Sequence, residues 1–268
     1  MHHQFRFEAQ DKTSAKDWAL LNHPLVGELP VEALGCLQEH GRSVFPAMGE
    51  VLIDAPMVRF VVSGAFGIFS APGSSCVGFV GPGGLHGLDR CFAPPTHEHL
   101  ITLLDAEIIE VPAEQFASAT GRIWTERMFG HQATGRLRSM AAEAACGTRH
   151  TVAQRMARWL LRLSAASAPR RKISITQSML AEALGVQRTT ANAALCALQE
   201  RGIISTIRGS IAILAHNDLR HMACGCDQAP GRSVDHRASP ERRPAESGPS
   251  FLHHRTPEQA TRTVEPTL

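Results

Sequence analysis

Arg188, Thr189 and Asn192 crowd one short stretch of the segment TQSMLAEALGVQRTTANAALCALQER, residues 176–201. Between them they hold side-chain chemistry that distinguishes bases in the major groove of DNA: a guanidinium that forks onto guanine, a carboxamide that pairs with adenine, and a methyl that meets the thymine methyl. Thr176, Gln177 and Thr190 sit at or near expected helix starts, where side-chain polar groups and backbone N–H groups suit phosphate oxygens. Arg208 and Gly209 lie in a turn, Arg208-Gly209-Ser210, between the apolar runs 202–207 and 211–214. They are the candidates for a further phosphate contact at a hairpin tip. The bland alternatives are a helical hairpin inside an enzyme and a merely solvated turn residue.

To act on a duplex, these side chains must stand on an exposed helix braced by another. Thr176 can cap a helix whose inner face is Met179, Leu180 and Leu184, with Ala181 small where a second helix crosses. Gly185 follows where the chain must turn sharply with positive φ, and Val186 fills the corner. The second helix, 187–201, buries Ala191, Ala194, Leu195 and Leu198 and leaves Gln187, Arg188, Thr189, Asn192 and Ala193 outside. Such a pair is a helix-turn-helix, and the two short strands after it make it winged.

Upstream, residues 1–42 carry helical signals at 14–21 and 30–37. Between Val44 and Val111, β-rich pieces at 50–53, 59–62, 66–69, 77–80, 100–104 and 107–111 alternate with Gly and Pro, which predicts a small antiparallel, jelly-roll-like β-roll. From Pro112 to about residue 166 the chain reads helical, with Gly121, Gly130, Gly135 and Gly147 as weak points. There Phe129, Ala133, Leu137, Met140 and Ala144 form a stripe at steps of three or four, read as the seam of a homodimer; packing on its own domain is the alternative. Thr151-Val-Ala-Gln154 spells a capping box, opening a helix whose buried face is Val152, Met156, Trp159, Leu160 and Leu163. The break at Ala168-Pro169 and the triplet Arg170-Arg171-Lys172 precede the helix-turn-helix. The expected class is therefore α+β, in four parts: a β-roll at 1–120, a dimerisation helix at 121–147, a winged helix-turn-helix at 148–226, and a tail at 227–268. The tail is too poor in apolar side chains to offset its ordering entropy and is expected to be disordered.

Composition is compatible with this and excludes much else. A chain of 268 residues, 43% apolar and 19% charged, can build one or two cored domains and is neither wholly disordered nor collagen-like. Its net charge of +2 hides an asymmetry: residues 1–120 hold six basic against fourteen acidic side chains, whereas 146–226 hold eleven against three. Only the latter region suits a polyanion. No apolar run approaches the ~18–20 residues of a membrane span, and the start MHHQFRFEAQDK lacks the greasy stretch of a signal peptide, so a cytoplasmic location is expected. Seven cysteines, odd in number and scattered, read as reduced thiols. Cys146-x3-His150 and His221-x2-Cys224-x-Cys226 could supply metal ligands, yet neither forms a standard zinc spacing with a second pair, so no metal site is assigned. Without a Gly-rich phosphate loop, a Gly-x-Ser-x-Gly elbow or a motif of paired acids, the chain is not read as an enzyme.

Taken in order, these parts resemble the Crp/Fnr family of bacterial transcription regulators. The likeness covers roughly residues 20–226 and rests on GFVGPGGLHGLD at the end of the roll, the long helix after EVPAEQF, the hinge-like ACGTRHTVAQRMARWLLRL, and TQSMLAEALGV with its wing. It implies a homodimeric, sequence-specific regulator that inserts 187–201 into the major groove of a palindromic operator, with RNA polymerase a candidate further partner. It also implies that the roll is a sensor and that 121–147 includes a hinge. Cyclic-nucleotide binders of this fold hold the ribose with a Gly-Glu pair and the cyclic phosphate with an Arg-Ser pair. Here the first aligns with Gly87-Leu88 and the second falls near Thr96-His97. Leu accepts no hydrogen bond and a neutral His is a poor stand-in for a bidentate guanidinium, so cyclic AMP is not expected to bind in the usual way. The effector is left unassigned, and none need exist.

Oxygen-sensing members ligate an iron–sulfur cluster through N-terminal cysteines; Cys36 alone falls in the first 75 residues here, which excludes a four-Cys cluster there. Haem-binding members ligate through roll or helix residues, for which His86, Cys91, His97 and His99 are at hand, with surface-loop histidines and a small buried thiol the simpler reading. No cofactor is assigned. The reading helix departs too: Thr189 and Ala193 stand where many members carry a Glu and a second Arg, which leaves Arg188 as the retained base reader and the usual half-site unassumed. The alternative from another class is a small-molecule-binding module whose DNA-binding end has decayed.

Overall fold

The computed structural model describes residues 23–53, 55–70, 76–93, 98–167, 172–207 and 209–228. The expected helix at 14–21, Thr96, His97, Arg170, Arg171, Arg208 and the tail beyond 228 lie outside the described residues. Helix α1 (Val31–His40) leads into β1 (Arg42–Val44), β2 (Val51–Leu52), β3 (Met57–Phe69), β4 (Cys76–Val80), β5 (Leu85–His86) and β6 (His99–Pro112). These strands form one antiparallel sheet in the order β1-β6-β3-β4, with β2 also on β6 and β5 also on β3. The sequence reading cut β3 and β6 into two short strands each. Instead the two pair continuously from Met57↔Pro112 to Phe69↔His99, because register shifts between Val61 and Phe66 absorb the Ser63-Gly64 irregularity without ending the ladder.

Successive side chains of a strand point to opposite faces, and here both faces are cored. Phe60, Ile109 and Val111 pack on one side with Leu37 of α1 and Phe116 of α2 (Ala113–Thr120), the two Phe rings meeting edge to face at 5.6 Å. Val61, Phe66, Ile68, Leu100 and Ile108 fill the other. Each fully buried ring of this kind stabilises by roughly 1.5–3 kcal/mol.

After Gly121 comes α3 (Arg122–Arg149), 28 residues and so ~42 Å long. It runs unbroken through the weak points Gly130, Gly135 and Gly147, and of the four glycines only Gly121 interrupts the helical stretch. The penalty of about 1 kcal/mol per mid-helix Gly is opposed by polar ties along one face. Gln132 donates to the Leu85 carbonyl, Arg136 pairs with Glu98, and Glu143 accepts from Arg158 and Arg162.

Arg158 and Arg162 belong to α4 (Val152–Ala166), whose capping box is formed as read: the Gln154 N–H donates to the Thr151 hydroxyl at 3.3 Å and the Thr151 N–H to the Gln154 carboxamide oxygen at 3.0 Å. Then follow β7 (Lys172–Ser174), α5 (Gln177–Leu184), α6 (Arg188–Glu200), β8 (Ile204–Ile207), β9 (Ser210–Ile213) and α7 (His216–Met222). The wing thus has three strands, ordered β7-β9-β8, not two; β7 is three residues long with Ile173 alone buried, too short for a periodic signal. Met156, Trp159, Leu160 and Leu163 of α4 share a core with Leu180, Leu184, Leu195, Leu198, Ile211 and Leu219. That core runs on into Phe69, Leu103 and Leu104 of the sheet. Phe79 of β4 meets Trp159 edge to face at 5.8 Å, and the Arg162 guanidinium lies within 5.9 Å of both ring centres. Among the described residues no helix is long and apolar enough to cross a membrane.

Candidate nucleic-acid interface

The polar residues picked from the sequence are positioned by local backbone chemistry. Thr176 caps α5, its hydroxyl accepting from the Met179 N–H at 3.2 Å. Gly185 then turns the chain at φ +64°, donating to the Glu182 carbonyl at 3.0 Å while Val186 donates to Ala181 at 3.0 Å, which closes the C-terminal end of α5. The Arg155 guanidinium donates to the Leu184 carbonyl and ties α4 to this turn.

Helix α6 emerges with Ala191, Leu195 and Leu198 fully buried and Ala194 nearly so. Gln187, Arg188, Thr189, Thr190, Asn192 and Ala193 are exposed, as the helical period requires. Its first turn holds no acidic side chain and Gln187 supplies no side-chain cap, so the positive end of the helix is offered to an oxyanion.

Thr176, Gln177, Arg188 and Gly209 come together in one recess of about 290 Å³, between the start of α5, the start of α6 and the wing. Ser178, Thr206 and Ser210 line it as well and were missed. The Ser178 hydroxyl follows a helix cap and those of Thr206 and Ser210 lie on short strands; no spacing rule singles out such isolated hydroxyls. Thr189, Thr190 and Asn192 share the exposed helix surface without lining the recess.

The stripe on α3 divides. Leu137 is 68% exposed and Met140 38%, and Ala144 is exposed, whereas Ala133 is half-buried and the Phe129 ring lies 5.4 Å from that of Phe92 in the same chain. In the roll, Gly87 sits at φ +84°, where an added Cβ would come within 2.2 Å of the Met57 carbonyl oxygen. Leu88 is fully buried in the Phe60–Phe116 core.

His86, read as a surface-loop histidine, is instead buried, because the β5–β3 pairing places it opposite Arg59. Burial first, and then the charges of Arg59, Arg136 and Arg90, push its pKa down to about 3, so the ring is neutral at ordinary pH. Arg59 itself pairs with Glu110 at 2.7 Å. Cys91 is half-buried, and burial with the Asp89 charge pushes its thiol up to about 11; His99 is half-buried on β6. The two incomplete Cys/His motifs do converge: Cys146 and His150 meet Cys224 and Cys226, and His221 is not part of the group.

A glycine-hinged pair of helices, a wing, and an outward polar first turn define a winged helix-turn-helix DNA-binding module, joined here to a cyclic-nucleotide-binding-like roll. Residues 154–222 match the family described as Crp-like helix-turn-helix domain. Among solved structures, the fold is shared with FixK2 from Bradyrhizobium japonicum, at 20% identity and a TM-score of 0.57 over 69% of this chain and 98% of that one. It is shared with the c-di-GMP-responsive global regulator CLP of Xanthomonas campestris, at 19% identity and a TM-score of 0.53 over 69% and 99%. A CRP-family transcriptional regulator from Thermus thermophilus aligns at 17% identity and a TM-score of 0.55 over 67% and 96%. A sequence search of curated proteins finds no match. Residues 154–222 thus form a Crp-like helix-turn-helix domain, and the chain shares the fold of solved Crp/Fnr structures.

Proposed function

We propose that the protein acts as a homodimer that places two copies of α6 in successive major grooves of a palindromic operator, ~34–36 Å apart. The observation that carries this reading is the outward first turn of α6 sharing a recess with the start of α5 and the wing. Arg188, Thr189 and Asn192 read base edges; Thr176, Gln177, Thr190 and Gly209 hold phosphates, together with Arg208 beyond the described residues. Leu137, Met140 and Ala144 form the seam between copies.

Control is then a difference in DNA affinity between two arrangements of the dimer, biased through the roll of residues 1–120. Cyclic AMP is not the ligand in its usual pose, a reading supported by Leu88, which fills the core where a ribose-binding carboxylate would be needed. The action is regulatory, not catalytic, and takes place in the cytoplasm. Selection of sites from random DNA by the pure protein, with no ligand added, tests the proposal. An enriched palindrome is expected, and recovery of no common sequence would overturn it.

A further inference from the structure

Cys146, His150, Cys224 and Cys226 come from opposite ends of the C-terminal half, yet their donor atoms all lie within 4.8 Å of one another. Cys146 stands in the last turn of α3 and His150 terminates that helix four residues on, so one helical face presents both. Cys224 and Cys226 follow α7, and the Cys224 N–H donates to the Gln154 carbonyl of α4 at 3.4 Å, which pins this segment to the α3–α4 junction. The Sγ atoms of Cys146 and Cys224 are 3.3 Å apart, and Cys226 Sγ is 3.5 Å from His150 Nδ1. Cys146 and Cys224 are buried while Cys226 and His150 are half-buried, so an ion could enter from one side.

We propose that these four side chains form a tetrahedral site for a single soft divalent cation, with zinc the ion whose coordination they match. Three thiolates and one imidazole are a recurrent structural zinc set, and bonds of ~2.3 Å to sulfur and ~2.0–2.1 Å to nitrogen place tetrahedral corners roughly 3.5–3.8 Å apart. The two measured contacts already approach that spacing. A sulfur–sulfur distance of 3.3 Å is too long for a disulfide, whose bond is ~2.05 Å. Carboxylate-loving cations such as calcium and magnesium find no oxygen ligand in the set.

The charges also balance. Three thiolates around a divalent cation leave one negative charge, and the guanidinium of the fully buried Arg158 acts on both Cys146 and Cys226 in the sense that favours their thiolates. Burial and the neighbouring thiols otherwise push the Cys146 thiol up to about 12, and a bound cation would displace its proton. The site lies where the long helix hands over to the DNA-binding unit. A cation there clamps the end of α3 to the segment that closes that unit, and it does so whether or not the recess binds DNA.

The test uses the full-length protein purified under reductant. Elemental analysis is expected to find about one zinc per chain. After chelation, cobalt should restore the visible bands of a tetrahedral centre and a thiolate-to-cobalt charge-transfer band, and zinc should abolish both. C226S and H150A, at half-buried positions, are expected to keep the wild-type far-UV spectrum and to lose zinc, while C196S, which alters an exposed thiol elsewhere, keeps it. Three outcomes would overturn the proposal: wild-type protein that takes up neither metal, a cobalt spectrum unchanged by C226S, or a Cys146–Cys224 disulfide in freshly purified protein instead of bound metal.

Discussion

Arg188 carries the charge in the outward first turn of α6, with Gln187, Thr189, Thr190 and Asn192 neutral around it. A forked contact to guanine should therefore weigh on selectivity more than on attraction. R188A is expected to weaken the cognate complex by ~1–3 kcal/mol while leaving retention on random DNA nearly intact. Titrations against both duplexes at one salt concentration check this, and equal losses would make Arg188 a phosphate contact. His86 makes a different kind of prediction. Its folded pKa, about 3, lies below the ordinary 6.5, so its contribution to stability is complete above pH 6.5 and is lost as pH falls from there toward 3. Urea midpoints should decline across that window, and H86Q should flatten the decline. Arg188 was legible beforehand because its exposure follows from the helical period of the alanines and leucines around it. His86 was not, because a two-residue strand fixes which way it faces and leaves no pattern to read.

Among the elements, the turn at Gly185 and the outer face of α3 can each be tested by one substitution. G185V forces a β-branched residue into left-handed backbone, and about 1–2 kcal/mol of stability should be lost in chemical denaturation. L137E places a charge on a side chain that is 68% exposed within one chain, so protomer stability should hardly change while the sedimenting species falls to a monomer. An unaltered dimer would mean that the copies meet elsewhere. The helix-turn-helix could be read from sequence because cap, apolar period and glycine turn all agree locally. β7 could not, since its place is fixed by Ile173↔Ile211 pairing across the intervening helices. Nor could the inner face of α3, where Gln132, Arg136 and Glu143 do the anchoring and polar contacts leave no hydrophobic stripe. The Cys146–His150 and Cys224–Cys226 pairs were each visible but incomplete in the sequence, and only the fold adds them.

For the molecule as a whole, the acidic front and basic back found along the sequence predict attraction confined to one end. The logarithm of duplex affinity should fall linearly with the logarithm of salt concentration, at about 0.9 per phosphate neutralised. Filter binding across a salt series measures the slope, and a flat line would place DNA elsewhere or nowhere. The hydrophobic interior that joins Leu103 and Leu104 of the sheet to Trp159 and Leu198 limits how such a molecule can move. To swing the reading head away from the sensor, water would have to reach the Phe79–Trp159 contact and Glu143 would have to release two guanidiniums at once. Tightly interlocked surfaces of this sort hold or let go as a unit. Under the proposed regulation, control through the roll would therefore pass as a click between two postures and not as a graded lean.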